Sequence, residues 1–525
     1  MSAPGLGRRL TSAALGAFLA LWPEPAWSQA AKRSDLVRVR SVPLASEERA
    51  LDAAWRDLDG DGQADLVLAL GPKSGVGRRS LALHLGSASG LAQVASRRIE
   101  LPADVVAFAI AELDPAAGRE IALLTPRGAY ALRPAAPEAE RFLRLAELDC
   151  LWQLPDPEQL VHWSRAVADL DGDGLDDLLV PGAKGYHMLL QRRSEGQSRF
   201  EARFLPLLAP LPLAEGQAPL RVTSASANAG LEISLSEALG VRTLVSVDDQ
   251  VPAPFVLDAD GDRRVELLAQ DETQLQWFSG SPSGPEPQAR SLASPVVVDE
   301  RRALDVSFAS LFGDVSGDGR LDWVLIAGDQ RASKARSQIL IHHQRQPTPD
   351  KPERFVSTPD AVLVIDGFAG DPRLYDLNGD GRVDLSLAAL RPDLLQALTQ
   401  GSLDRYELEQ YIYLNEGGKL ARRPVLAERL SFRSEDSLPT LEFVRDRSGD
   451  KLADLLWRPQ AGKLRLSMVS TRGERWSLNP TPLFELGIDP RARILADSVV
   501  GRGAMAPPLE HLLVVGPRDV TVLEF

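Results

Sequence analysis

The 525-residue chain is 44% hydrophobic with a mean hydropathy of −0.13, the balance of a water-soluble globular protein with ample core. Its formal net charge of −14 argues against nucleic acid or acidic lipid as a partner. A single cysteine, Cys150, leaves no intrachain disulfide, and its neighbours Leu148 and Leu151 mark it as a buried structural thiol rather than a reactive one.

Residues 1–30 read as a secretory signal. Arg8 and Arg9 supply the basic start, Leu10 to Trp22 the apolar stretch, and Ala26-Trp27-Ser28 or Ser28-Gln29-Ala30 a small-x-small cleavage site. The apolar run is shorter than the roughly 20 residues needed to span a bilayer. The expected location is therefore the periplasm or the cell exterior, with residues 31–525 forming one mature domain without a transmembrane anchor. Leu36 to Val42 then alternates apolar and polar residues, as a strand does, yet belongs to no complete repeat.

The first repeat begins at Asp57-Leu-Asp59-Gly-Asp61-Gly-Gln63-Ala-Asp65 and runs into the apolar stretch Leu66 to Leu70. Acidic residues stand at positions 1, 3, 5 and 9 of a tight loop, where they converge on one point. A hard cation makes that arrangement favourable, and calcium suits it because it takes six to eight oxygens in flexible geometry. The backbone carbonyl at position 7 adds a further oxygen. The second copy is degraded: Glu112, Asp114 and Glu120 keep positions 1, 3 and 9, but Pro115 replaces the first glycine and Ala116 has no ligand oxygen. The third is the most complete, with Asp169, Asp171, Asp173, Leu175 and Asp177. The fourth offers Asp258, Asp260, Asp262, Arg264 and Glu266; the fifth Asp314, Ser316, Asp318, Arg320 and Asp322; the sixth Asp376, Asn378, Asp380, Arg382 and Asp384. The seventh offers Asp446, Ser448, Asp450, Leu452 and Asp454. Arg263 and Lys451 stand where a second glycine belongs, which counts against the fourth and seventh sites. The six full loops hold 21 acidic ligand candidates, so the acidity is mostly in the loops, and six Ca²⁺ would leave a charge of only about −2.

The loops recur every 55 to 89 residues, too far apart for a solenoid of short turns. Each is flanked by apolar runs, giving a strand, loop, strand hairpin. A third strand-like run follows at 80–86, 128–134, 185–191, 273–279, 337–343, 408–414 and 463–470, and further β-pattern such as Arg97 to Leu101 follows most of these. About four strands per repeat is the make-up of a propeller blade. The C-terminal unit has three strands without a loop, at Ile494 to Asp497, Leu512 to Val515 and Val520 to Leu523. The economical solution is that Leu36 to Val42 supplies its fourth strand and closes the ring, which removes an exposed edge. The expectation is an all-β, eight-bladed propeller, with seven blades as the alternative. Two excursions exceed this plan: residues 209–254, with an added hairpin at Leu231 to Leu235 and Val241 to Val247, and residues 392–407, with helical spacing from Pro392 to Leu398.

The hairpins resemble the FG-GAP or VCBS-type repeat. Phe312-Gly-Asp314-Val-Ser316-Gly-Asp318-Gly-Arg320-Leu-Asp322 and Tyr375-Asp376-Leu-Asn378-Gly-Asp380-Gly-Arg382-Val-Asp384 are close to its pattern, and the resemblance spans nearly the whole mature chain. It implies a calcium-binding β-propeller similar to the ligand-binding head of integrin α chains, with up to six Ca²⁺ in hairpin loops. It fixes no function, because such repeats occur in adhesins, in lectins and beside enzymatic modules.

The loops read as calcium staples for their hairpins, since metal binding fixes a turn whose like charges otherwise repel. The chain then reads as a monomeric binding or scaffold module for a protein or glycan, because propellers present broad loop-rich faces. The alternative is a carbohydrate-active propeller enzyme, such as a lyase or hydrolase. Candidates for acid–base work are sparse: His84 and His187 fall in strands, His342 and His343 are adjacent in one, and His162 stands beside Trp163. No P-loop, zinc signature, nucleophile elbow or dinucleotide fingerprint occurs.

Overall fold

Each apolar run after an acidic loop is the second strand of a four-stranded sheet, and both of its faces are buried. The strand Asp65–Pro72 shows how. Its side chains alternate with period two, so Leu66, Leu68 and Leu70 pack on Leu513, Val515, Val520 and Val522 of one neighbouring sheet. Val67 and Ala69 pack on Phe108, Ile110 and Leu123 of the other. Such a strand needs a mostly apolar run, which is the pattern the sequence carries after every loop.

The computed structural model describes residues 36–525 except 76, 116–117, 153–155, 157, 195, 209–220, 223–225, 235–243, 253, 272–273, 294–305, 330–335, 348–353, 391–404, 434–440, 461, 473–474 and 496–508. The fold is an eight-bladed β-propeller. Blade 1 comprises Glu48–Arg56, Asp65–Pro72, Ser80–His84 and Arg97–Glu100, paired antiparallel in that order. Blades 2 to 7 repeat the plan, their first strands beginning at Ala107, Val167, Phe255, Val306, Phe368 and Leu441. Blade 8 takes three strands from the C-terminus, Arg493–Leu495, His511–Val515 and Asp519–Glu524, and its fourth, Arg38–Pro43, from the N-terminal end. That pairing runs from Arg38 opposite Glu524 to Pro43 opposite Asp519. Val42 is fully buried in the closing seam, and Arg40 Nε donates to Glu524 Oε2 at 3.2 Å. The N-terminal strand closes the ring as the alternation predicts.

Among the described residues seven apolar clusters lie between consecutive blades, and the one holding Trp55, Leu66 and Val522 joins blade 8 back to blade 1. The largest spans blades 2, 3 and 4 and includes Cys150, whose thiol burial pushes up to about 12. This is the structural cysteine the leucine flanks predict.

Two short strands add to the inner edges, parallel to the first strands they join: Val161–His162 beside blade 2 and Arg221–Val222 beside blade 5. In the first excursion Ser226–Ser234 pairs with Leu244–Pro252, a hairpin longer than its apolar cores mark out. The run at 463–470 divides: Lys463–Ser467 stays in blade 7, while Val469–Arg472 leaves it to pair with Arg475–Leu478. The expected signal peptide and the helical spacing at 392–398 lie outside the described residues. Among the described residues no helix is long and apolar enough to cross a membrane.

Deleting residues 36–45 strips the outer strand from blade 8 and uncovers the edge of Asp519–Glu524. The expected outcome is a lowered melting temperature and aggregation, followed by calorimetry and light scattering. A deletion variant as stable and as soluble as the parent would show that the pairing does not close the ring.

Candidate functional site

The acidic loops all connect the first strand of a blade to its second, so they share one face of the propeller. Within each full loop the carboxylate at position 1 organises the turn. Asp57 accepts N–H groups from Gly60 at 2.8 Å and Gly62 at 2.9 Å, and Asp169 accepts from Gly172 and Gly174 at 2.8 and 3.0 Å. Asp258, Asp314, Asp376 and Asp446 do likewise in their loops. Position 5 accepts the N–H of position 7, as from Gln63, Leu175, Arg264, Arg320, Arg382 and Leu452 to Asp61, Asp173, Asp262, Asp318, Asp380 and Asp450.

These bonds gather ligand oxygens. In loop 1 those of Asp57, Asp59 and Asp61 lie within 4.8 Å of one another, and in loop 4 those of Asp258, Asp260 and Asp262 do the same. In loop 3 the cluster is Asp169, Asp171 and the buried Asp177. Loops 5 to 7 carry less charge at position 3. Ser316 and Ser448 turn their hydroxyls toward Asp314 and Asp446, and Asn378 Nδ2 donates to Asp380 at 3.0 Å.

Position 9 does more than the sequence reveals. It is the first residue of the second strand in all seven loops, and Asp65, Asp177, Asp322, Asp384 and Asp454 are fully buried. One carboxylate oxygen accepts a backbone N–H from the head of its own loop: Leu58 to Asp65 at 2.7 Å, Leu170 to Asp177 at 2.9 Å, Ala259 to Glu266 at 2.7 Å. The other accepts from the far part of the third strand or from just beyond it: Gly86 to Asp65 at 2.6 Å, Gln191 to Asp177 at 2.7 Å, Gln344 to Asp322 at 3.0 Å. Gly86 must be glycine, because a Cβ there would stand 2.2 Å from the Ala64 carbonyl oxygen. The degraded second loop keeps this bond, with Glu120 accepting from Leu113 and Asp114 at 2.8 and 2.9 Å. Burial pushes the carboxyls of Asp177, Glu266, Asp384 and Asp454 up to about 7, with nearby loop carboxylates adding to the rise and N–H donors opposing it. Asp454 Oδ1 is buried without a hydrogen-bond partner among the described residues.

Neighbouring loops are also tied to one another. The position 8 N–H of one loop donates to the position 2 carbonyl of the loop before it, from Arg119 to Leu58 at 2.7 Å, Leu321 to Ala259 at 2.9 Å and Ala453 to Leu377 at 2.9 Å. Between loops 5 and 6 the Asn415 amide takes this part, donating to Val315 O at 2.8 Å and Val383 O at 3.1 Å. Loops 1 and 2, and loops 4 to 7 in succession, thus form hydrogen-bonded belts rather than separate turns.

Arginines already answer some of the charge. Arg192 bridges Asp171 and Asp173, the latter at 3.2 Å, and its guanidinium, although partly desolvated, is held further up by the Asp171 hydrogen bond. Arg354 pairs with Asp260 at 2.5 Å, Arg320 with Asp318 at 2.8 Å and Arg382 with Asp380 at 2.7 Å. Among the described residues no cation pairs with Asp57, Asp59 or Asp61. Loop 1, rather than the sequence-complete loop 3, therefore holds the least neutralised cluster. Its donor set, the half-buried Asp57 and the exposed Asp59 and Asp61 at close range with a backbone carbonyl at Gln63, fits a hard divalent cation.

Arg263 and Lys451 keep the turn instead of breaking it. Both take positive φ, 69° and 72°, and donate to Asp258 and Asp446 as the glycines of other loops do. The histidines are occupied in packing and in bonds to carbonyls. His84 meets Ala92 O and His187 meets Asp149 O at 2.9 Å each, His342 stacks near Trp323, and His162 stacks on Phe108 at 5.0 Å. His343 Nδ1 lies 3.2 Å from Asp322, whose hydrogen bond pushes that histidine up.

No protein-family model and no curated protein matches the chain. Solved structures do. An Agrocybe aegerita lectin described as recognising non-reducing terminal N-acetylglucosamine is 15% identical over 93% of this chain and 99% of that one, with a TM-score of 0.38. The WD40 domain of SCAP from fission yeast is 11% identical over 94% and 96%, with a TM-score of 0.43. Sqt1 from Chaetomium thermophilum is 12% identical over 93% and 100%, with a TM-score of 0.40.

Two outcomes follow from the loop geometry. Lys451→Gly removes a left-handed non-glycine residue at an exposed turn and is expected to raise stability by about 1 kcal/mol, read by denaturant unfolding. No gain would mean that the lysine side chain contributes contacts that offset the strain. The second concerns pH in the presence of chelator. Carboxyls raised to about 7 in the folded state, against about 4 when unfolded, leave the folded chain with more bound protons between those values. Stability from these groups therefore falls as pH rises from 4 to 7 and levels off above. The calcium-free melting temperature is expected to be higher at pH 5.5 than at pH 8, and the reverse order would contradict the burial argument.

Proposed function

We propose that the chain is an exported, calcium-stabilised β-propeller that serves as a binding or scaffold module for a protein or glycan partner. The observation that carries the calcium part is the loop 1 cluster, where three carboxylates crowd within 4.8 Å without a counter-cation. Asp57, Asp59, Asp61 and the Gln63 carbonyl would hold the ion there. Asp258, Asp260, Asp262 and the Arg264 carbonyl are the next set, and Asp169, Asp171, Asp173, Asp177 and the Leu175 carbonyl the third. The ion supplies charge neutralisation and cross-links a turn already shaped by its own hydrogen bonds. The less charged loops at Asp314, Asp376 and Asp446 bind more weakly on this reading, since affinity in such sites follows ligand charge.

The binding role is supported by the longer belt. Loops 4 to 7, fixed in succession by hydrogen bonds, make a rigid stretch of that face, and a rigid face loses little freedom when it meets a partner. The signal-like residues 1–30 and the motif resemblance to FG-GAP or VCBS repeats support export and calcium use.

The test compares Asp59→Ala with Asp114→Ala. Asp59 sits in loop 1 without an arginine partner, whereas Asp114 belongs to the degraded loop and lies 3.6 Å from Arg133. With a site of Kd about 10⁻⁴ M, about 10 mM calcium stabilises the parent by roughly 2.7 kcal/mol through loop 1. Melting temperature against calcium concentration should lose most of that increment in Asp59→Ala and none in Asp114→Ala. Equal losses, or a parent indifferent to calcium, would remove the staple. The same preparations, screened against glycans and envelope proteins with and without chelator, should show saturable capture without turnover. Turnover of a polysaccharide would move the chain to the enzyme class.

A further inference from the structure

We infer that the inner ends of blades 1 to 4 frame a site for a small ligand bearing a carboxylate. A cavity of about 150 Å³ lies there, lined by Arg56, Arg119, Arg165 and a single acid, Asp176, with apolar wall from Ile110 and Val256. Each lining group comes from an innermost element. Arg56 ends the first strand of blade 1, Arg119 is position 8 of loop 2, Arg165 sits in the 3₁₀ turn Ser164–Ala166, and Val256 lies in the first strand of blade 4. The cavity therefore faces the axis of the ring.

Its charge runs against that of the molecule. The chain has more acids than bases, 73 against 59, yet this cavity gathers three guanidinium groups around one carboxylate. Asp176 is already engaged, its Oδ2 accepting the Glu112 N–H at 2.8 Å. Arg119 is held by its backbone bond to Leu58 at 2.7 Å, and no carboxylate pairs with its side chain among the described residues. Arg165 meets the Pro254 carbonyl at 3.5 Å and lies over the Phe255 ring at 5.7 Å, so its packing fixes it without neutralising it. Burial lowers its pKa, and only Tyr186 nearby acts against that fall. Guanidinium forks match a planar carboxylate in two-point hydrogen bonds, and a partly shielded site makes that contact stronger than in open water. The volume is about half that of the smallest drug-sized pockets, and the apolar wall suits the C–H face of a compact ring. A sugar acid of one ring fits these demands better than a polymer or a bare inorganic ion.

The probe is glucuronate, titrated by calorimetry into the full chain, with glucose as the neutral control and sulfate as the bare oxyanion. Glucuronate should bind at one site, glucose should not bind, and sulfate should bind at least tenfold more weakly than glucuronate. Arg119→Gln and Arg165→Gln should each weaken glucuronate at least tenfold, with circular dichroism and melting as in the parent. Should Arg165→Gln disturb folding, Arg119→Gln decides, since its side chain stands on a loop. The proposal is overturned if glucuronate gives no binding, if Arg119→Gln binds it as the parent does, or if glucose or sulfate binds equally well.

Discussion

The buried carboxylate at the ninth loop position is the constraint on which each blade depends. It stands at the first pair of the second strand, takes one N–H from the loop behind it and, in most blades, another from the far part of the third strand or just beyond it. Three segments distant in sequence are thereby fixed by one side chain. A buried charge is costly unless it is hydrogen-bonded, and here the backbone supplies the donors. The second repeat has the same anchor, with Glu120 accepting from Leu113 and Asp114, although its position 5 is an alanine.

From that anchor the rest of the packing follows. A second strand held at its start presents alternate residues to the blade before and the blade after, so every core cluster is shared. Trp323 and Leu325 face blade 4 while Val324 and Ile326 face blade 6, from one strand. No blade owns a core of its own, and the apolar seams return to their starting point through Val42, Trp55 and Val522. The hydrogen-bonded belts repeat this sharing at the level of the backbone.

The blade count and the closing strand were legible because both rest on short-range pattern: alternation in Leu36 to Val42, mostly apolar runs after each loop, and a regular interval. The acids of the loops were equally visible, but their division of labour was not. Sequence shows a carboxylate at position 9 and cannot show that it points inward, although its place directly before every apolar run is the signal. Nor does spacing reveal which cations reach a loop. Arg192 lies 21 residues from Asp171 and Arg354 lies 94 from Asp260, brought there by strand pairing and blade packing. The same is true of Arg56, Arg119 and Arg165, which come from three blades. Arg263 and Lys451 looked like faults in the motif, yet a left-handed turn with its N–H bonded tolerates them at a modest cost.

Closing the ring with the two ends of the chain also sets an order of events in time. Ribosomes deliver a chain from its N-terminus, so Arg38–Pro43 emerges hundreds of residues before Asp519–Glu524, the strand it must meet. Until then the face of blade 1 that carries Trp55, Leu66 and Leu68 has no neighbour. The early blades must wait with an adhesive apolar side open to every other nascent chain. A propeller latched in this way is safest when synthesis is completed before it folds, and its first strand is the last to find its place.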